Sequence, residues 1–157
     1  MLGCMEDAII ASKIDKDEPP EGWEWIGEGS SREAFLSPAG IVYKVDVFRN
    51  SGNLDEYENY LRVKKMPPLK GWEIPEMFLY KLDDNAGEVM AVEYVEGVPD
   101  DGCDSINGFA CDCSSRNDQC VSYLWQVAGK YWDLFDLYEG NIILRDDGIR
   151  VLIDLEG

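Results

Sequence analysis

Histidine is absent from this chain of 157 residues, and basic residues are scarce, with 14 lysines and arginines against 32 aspartates and glutamates. The formal net charge of −18 creates a negative field that repels nucleic acids and membrane surfaces. We therefore expect no direct binding to either. The acids are spread along the whole chain, so they form either a solvated acidic surface or a decoy that occupies the basic groove of a nucleic-acid enzyme.

Long apolar segments are also missing. No stretch reaches the roughly eighteen apolar residues of a membrane span, and residues 1–13 lack the basic start and apolar run of a signal peptide. We expect a cytoplasmic protein. With 45% hydrophobic residues the chain is able to bury a core, so we predict one domain over residues 21–157, preceded at residues 1–20 by an acidic leader with a short helix.

The five cysteines include a cluster without the usual zinc-binding spacing. No C-x-x-C pair occurs among Cys103, Cys111, Cys113 and Cys120, and no histidine is present to complete a zinc site. In a reducing cytosol free thiols are the expected state, and a four-thiolate zinc site is the alternative. The surrounding residues 99–116 are rich in Asp, Gly, Ser and Cys, which is typical of a loop.

Three oxygen-bearing side chains surround a predicted hairpin near the end of the sequence. Asp136 and Asn141 precede an apolar strand, residues 145–148 form an Asp-Gly turn, and a second apolar strand leads to Asp154. Carboxylate and amide oxygens are the ligands that Mg²⁺ accepts. The spacing therefore predicts a magnesium site suited to phosphoryl transfer.

Upstream, a glycine-containing turn is followed by a strand with one lysine. Gly27 and Gly29 lie between two strand-like runs, and Lys44 lies in the β-branched run Ile41-Val-Tyr-Lys-Val. Glycines allow a phosphate to approach the backbone, and a lysine neutralises its charge. A G-x-G alone is more typical of an ordinary hairpin, so the prediction depends on the order of the whole set.

This ordered set resembles the eukaryotic-like protein kinase superfamily, including its aminoglycoside and small-molecule kinase relatives, over residues 22–157. Lys44 is similar to the strand lysine, residues 92–97 to the hinge, and Asp136 with Asn141 to the D-x-x-x-x-N motif. Asp154 is similar to the metal-binding acid of D-F-G. The resemblance implies a cofactor site for the base and phosphates of ATP at Gly27, Gly29, Ala34, Val42, Lys44, Val92, Glu93, Val95 and Ile143.

The mechanism implied by the resemblance is Mg·ATP-dependent transfer of the γ-phosphoryl group, with a protein hydroxyl as one acceptor. Asn141 and Asp154 would hold Mg²⁺, and Asp136 would accept the proton of the acceptor hydroxyl. Lys44 needs an acid that orients it, and the predicted helix from Asn53 to about Lys65 supplies one. We select Glu56, which shares a helical face with Tyr60 and Val63, over Glu58.

Several positions depart from the kinase pattern. Arg32 replaces the third loop glycine, Leu134 and Phe135 replace the usual His and Arg, and Tyr138 replaces a lysine of protein kinases. The sequence ends just after the position equivalent to D-F-G, so we expect a reduced second lobe. Two alternatives follow: a pseudokinase that acts through protein contacts, and an acidic inhibitor that binds a host protein as a nucleic-acid mimic.

The predicted fold class is α+β. We expect a five-stranded antiparallel sheet with one helix against it in an N-terminal lobe at 21–92, a hinge at 93–97, and a lobe at 98–157 made of one long helix and the hairpin, with the nucleotide between the lobes. Strands are predicted near 23–28, 33–38, 41–47, 76–82 and 88–95, and the long helix at 117–132. Asn53 is predicted to cap the shorter helix and Pro67 with Pro68 to end it.

Overall fold

The computed structural model describes residues 1–28, 32–46, 52–68, 70–82, 87–99 and 142–153. The chain divides into two compact units. One comprises Met1–Glu58 with Pro75–Tyr94, and the other comprises Asn59–Ile74 with Val95–Gly157. Each unit is described by itself.

The first unit contains a five-stranded antiparallel sheet. Its strands are β1 (Glu24–Glu28), β2 (Arg32–Leu36), β3 (Ile41–Asp46), β5 (Met77–Lys81) and β6 (Glu88–Glu93), in the order β1-β2-β3-β6-β5. The β-branched and aromatic runs of the sequence form these strands, since such side chains pack well on a pleated surface. The predicted sheet is confirmed, and each strand differs from its predicted bounds by at most two residues.

An N-terminal helix covers one face of this sheet. Helix α1 (Met5–Ala11) begins after Cys4, whose thiol accepts a hydrogen bond from the Asp7 backbone N–H. Its buried residues Ala8 and Ala11 join a core formed with Trp23, Phe35, Tyr43, Tyr80, Val89 and Ala91. The segment predicted as an acidic leader thus contributes helix residues to the core of the first unit.

Helix α2 (Gly52–Lys64) follows β3 in the sequence, as predicted. Its first turn carries Asp55 and its last turn carries Arg62 and Lys64, charges that complement the helix dipole. Glu56, Tyr60 and Val63 are buried on one helical face, whereas Glu58 is exposed. The shared face predicted for these three residues is confirmed.

The second unit contains a four-stranded sheet in the order β4-β9-β8-β7. Its strands are β4 (Trp72–Glu73), β7 (Val98–Pro99), β8 (Ile142–Leu144) and β9 (Arg150–Leu152). The predicted hairpin of β8 and β9 is confirmed, with Ile142 opposite Leu152 and Gly148 in its turn at a φ of 84°. The two short strands β4 and β7 were not predicted, because two residues are too few to show an alternation in the sequence.

No helix in the described parts of the chain has the length and apolar character needed to cross a membrane. The predicted helix at 117–132 and the four clustered cysteines lie outside the described residues.

Candidate functional site

Lys44 lies in the middle of the five-stranded sheet, in a row of paired residues. Its partner on β2 is Ala34, which pairs in turn with Gly27 on β1, and its partner on β6 is Met90. Directly opposed residues project to the same face of a sheet, as do residues two positions apart on one strand. One face therefore carries a set that we call the Lys44 face: Arg32, Ala34, Val42, Lys44, Met90 and Val92. The α1 helix covers the other face.

The Lys44 ammonium is paired with Glu56 of α2. Its Nζ lies 2.9 Å from Oε1 of Glu56, and the two side chains are 14% and 0% exposed. The predicted pairing of Lys44 with Glu56, rather than Glu58, is confirmed. A carboxylate without solvent contact needs close cations to offset its desolvation, and Lys44 supplies one of them.

Arg32 supplies a second cation to the same carboxylate oxygen. One guanidinium nitrogen, Nη1, donates to Oε1 of Glu56 at 2.7 Å. Arg32 occupies the first position of β2 and is buried on the Lys44 face. In the sequence, Arg32 is recognisable only as a replacement for the third loop glycine. The alternation of β2 held a usable signal, since Arg32 and Ala34 are two residues apart and therefore share a face.

Asn53 does not cap α2, and this prediction was wrong. The helix begins one residue earlier, at Gly52, and the Asn53 side chain is fully buried. Its amide nitrogen donates to the backbone oxygens of Lys44 at 2.8 Å and Glu88 at 3.0 Å. Its amide oxygen accepts from Arg32 at 3.2 Å. These contacts join the helix start to strands β2, β3 and β6, a role that sequence spacing alone does not distinguish from capping.

Gly27 lies on β1 beside an irregularity in the strand pairing between Trp25 and Gly27. Its φ is outside the left-handed region, and a Cβ built at Gly27 meets no atom within 4 Å. Neither the backbone conformation nor the packing of the residues that the structure describes requires glycine at this position. A close approach by a ligand is another reason for a residue without a side chain.

The residues predicted for the adenine base fall on both units. Ala34 is half-buried on β2, Val42 is buried on β3, and Val92 is buried on β6. Glu93 ends β6, where its N–H donates to the Glu76 oxygen at 2.9 Å. Val95 belongs to the second unit and is half-buried.

Ile143 is half-buried on β8 of the second unit, in the hairpin predicted to carry the metal ligands. The turn of this hairpin is held by Arg145, which donates to Asp147 at 2.6 Å and to Glu73 at 2.8 Å. The Arg145 hydrogen bond holds the pKa of Asp147 below its usual value. The hydrogen bond from Arg145 to Glu73 also connects the hairpin to strand β4.

The predicted metal ligands lie beyond the ends of the described hairpin. Ile142 and Leu152, the first residue of β8 and the last of β9, are paired across the hairpin. Asn141, Asp154, the proposed base Asp136 and the second glycine Gly29 all lie outside the described residues. Within the described ranges, no group of three or more His, Cys, Asp or Glu side chains is arranged to bind a metal ion.

No family profile matches the chain, and no curated protein sequence matches it. Among solved structures, it is similar to the ADP-bound aminoglycoside phosphotransferase APH(2'')-Ib, with 23% identity and a TM-score of 0.41 over 60% of this chain and 30% of that one. It is also similar to the GDP and kanamycin complex of APH(2'')-IIIa, with 16% identity and a TM-score of 0.43 over 82% and 43% of the two chains. The chain thus spans less than half the length of either. Both matches are partial.

Proposed function

We propose that the chain binds Mg·ATP through the Lys44 face and transfers the γ-phosphoryl group to an acceptor. The observation that supports this function best is the paired, mostly buried ammonium of Lys44. Lys44 lies on the same sheet face as the small Ala34 and the apolar Val42, so apolar side chains flank its positive charge. A nucleotide presents a matching combination, an apolar base joined to an anionic phosphate chain.

Two cations lie together on the Lys44 face. Arg32 and Lys44 both contact the Glu56 carboxylate. Asp46 lies opposite Arg32 on the same face, so two acids accompany the two cations. The chain as a whole is strongly acidic, with a net charge of −18. Phosphate groups would otherwise be repelled by the acidic molecule, so the position of these cations favours the Lys44 face as the phosphate site.

The remaining roles are proposed from the sequence resemblance. Asn141 and Asp154 would hold Mg²⁺, which neutralises charge on the transferring phosphoryl group, and Asp136 would accept the proton of a hydroxyl acceptor. Glu93, Val95 and Ile143 are proposed for the adenine base, together with Val92. Glu56 orients Lys44, and Gly27 with Gly29 lets the phosphates approach the backbone.

Replacement of Lys44 tests the nucleotide site directly. In calorimetric titrations with Mg·ATP, we expect Lys44→Met to lower affinity on the order of tenfold or more, because a charge-assisted hydrogen bond to phosphate is lost. Lys13→Met provides the control, since Lys13 is an exposed lysine just after helix α1, which covers the opposite face of the sheet. Equal affinities of the wild type and Lys44→Met would refute the proposed site.

Catalysis is separated from binding by Asp136→Asn. We expect this variant to keep Mg·ATP affinity within a few fold while phosphoryl transfer, followed with radiolabelled ATP, falls on the order of 10²-fold or more. Asp154→Asn should instead reduce the Mg²⁺ dependence of nucleotide binding.

The pseudokinase is the second candidate, and Tyr138 favours it because protein kinases carry a lysine there. Nucleotide binding without transfer to water, to the chain itself or to any acceptor would support it. An acidic inhibitor would bind no nucleotide at all.

A further inference from the structure

Three side chains hold the beginning of α2 against the sheet, and we call them the Arg32 clamp: Arg32, Asn53 and Glu56. Nη1 of Arg32 donates to Glu56 at 2.7 Å and to Asn53 at 3.2 Å. All three residues are buried. Arg32 therefore contacts two successive turns of the helix from strand β2.

Asn53 extends these contacts to two more strands. Its amide donates to the Lys44 oxygen on β3 and to the Glu88 oxygen on β6. Displacement of the helix start would remove these hydrogen bonds from the buried Asn53 amide, which is unfavourable because a buried donor without a partner is neither hydrogen-bonded nor solvated. The clamp thus opposes movement of α2 away from the sheet.

Glu56 belongs both to the Arg32 clamp and to the proposed nucleotide site. Arg32 and Lys44 both donate to Oε1 of this carboxylate. An arginine presents a rigid planar fork, whereas a lysine ends in a compact charge on a flexible stem. The buried Arg32 is therefore suited to fix the carboxylate, and Lys44 is suited to turn between the carboxylate and a ligand.

We propose that Arg32 is a positioning residue that keeps Glu56 in contact with Lys44 before any nucleotide binds. The Lys44–Glu56 pair is then preassembled, and its formation does not depend on a movement of α2. The consequence for nucleotide affinity rests on the proposed function, whereas the preassembly itself is a property of the free protein.

Nuclear magnetic resonance of the Lys44 side chain tests the preassembly without nucleotide. In protein labelled with ¹³C,¹⁵N-lysine, the Lys44 ¹³Cε and ¹⁵Nζ signals are assigned by their loss in Lys44→Met. In the wild type, we expect the chemical shifts of these signals to differ from those of exposed lysines. In Arg32→Met they should move to the exposed-lysine values. In Arg32→Lys, which keeps the charge, they should remain near the wild-type values. Lys13→Met, at an exposed lysine just after helix α1, is the control that leaves them unchanged.

Three results would overturn the inference. The first is a wild-type Lys44 signal that already matches the exposed lysines, a measurement that needs no variant to fold. The second is an Arg32→Met protein that unfolds cooperatively yet keeps the wild-type Lys44 signal. The third is a Lys44 signal that shifts further from the exposed values in Arg32→Met, which would mean that Arg32 competes with Lys44 for Glu56.

A double-mutant cycle then separates positioning from direct contact with the ligand. We expect Arg32→Met and Glu56→Gln each to weaken Mg·ATP binding on the order of tenfold, and the double variant to lose no more than either alone, because Arg32 acts through Glu56. Additive losses would show a separate role for Arg32 and overturn the inference. If the wild type binds no Mg·ATP, the proposed function fails while the resonance measurement still decides the preassembly.

Discussion

At the scale of single residues, the buried polar side chains of Arg32, Asn53 and Glu56 have specific partners that position the chain. Lys44 and Glu56 were predicted as a pair because the resemblance names a strand lysine and a helix acid, and the helical face selected Glu56. Arg32 and Asn53 were not predicted in their observed roles. Their contacts join residues 21 positions apart, and sequence spacing carries no information on such a distant contact.

Tyr43 provides a test of burial on the α1 face. Its hydroxyl accepts a hydrogen bond from the Cys4 N–H at 3.1 Å, and burial raises its pKa to about 12. Because this pKa exceeds the usual value of about 10, the folded state keeps the phenol proton longer than the unfolded state does. The stabilising contribution is complete below pH 10 and is lost as the pH rises towards 12.

We therefore expect the free energy of unfolding in urea to fall between about pH 10 and 12, and Tyr43→Phe to reduce the slope of this fall. At pH 7 the same variant should lose about 1 kcal/mol, because the Cys4 N–H loses its acceptor. Identical slopes for the two proteins would contradict the assignment. Tyr80, whose pKa is also raised by burial, accounts for a remaining slope in the variant.

At the scale of elements, the strands with strong patterns were predicted well and the weak ones were missed. Each strand of the first sheet contains β-branched or aromatic residues and runs over five or six positions. The pair β4 and β9 is parallel and joins residues far apart in the sequence. Its stability comes from tertiary contacts, including the Arg150 guanidinium 5.7 Å from the centre of the Trp72 ring, rather than from local propensity.

Gly97 directly precedes strand β7, and its backbone lies close to strand β8. It has a φ of 159°, and a Cβ built at this position would collide with the Leu144 backbone oxygen. The same Cβ would lie 2.7 Å from Cγ2 of Ile143. We expect Gly97→Ala to lower the free energy of unfolding by about 2–4 kcal/mol, because the backbone of β8 has to move. Urea unfolding followed by circular dichroism measures the loss.

Gly148→Ala is the matched control for this substitution. Gly148 also has a positive φ, 84°, but a Cβ there meets no atom within 4 Å. Its variant should therefore lose only about 1 kcal/mol from the unfavourable backbone conformation. An equal loss in both variants would show that the close contact with β8 is unimportant.

At the scale of the whole molecule, the sequence predicted the architecture better than the chemistry. The α+β class and the five-stranded sheet follow from local periodicity, which the fold preserves. The kinase-like roles depend on residues that approach one another through tertiary structure, and only the Lys44–Glu56 contact is described. The roles of Asp136, Asn141 and Asp154 stay predictions.

The acidic surplus predicts a response to salt. A net charge of −18 produces self-repulsion in the folded state, and mobile ions screen it over a distance of about 10 Å at 0.1 M salt. We expect the melting temperature, measured by differential scanning fluorimetry, to rise by a few degrees when NaCl increases from about 10 to about 300 mM.

A charge variant serves as the control. Glu18 and Glu21 are exposed, and their joint replacement by lysine changes the net charge by +4, from −18 to −14. The variant should show a smaller rise than the wild type. A melting temperature that falls with salt, or an equal rise in both proteins, would mean that self-repulsion does not limit stability.

The packing of the N-terminal helix also constrains how the protein is made. The Tyr80 hydroxyl donates to the Leu2 oxygen across 78 residues, and α1 packs in a core with residues of β3, β5 and β6. On the ribosome α1 is synthesised before the strands that bury Ala8 and Ala11, which are completed only when Glu93 has been added. Helix α1 therefore cannot dock before these strands have been synthesised. Because docking closes the long stretch of chain between α1 and the strands, it is a late and comparatively slow step of folding.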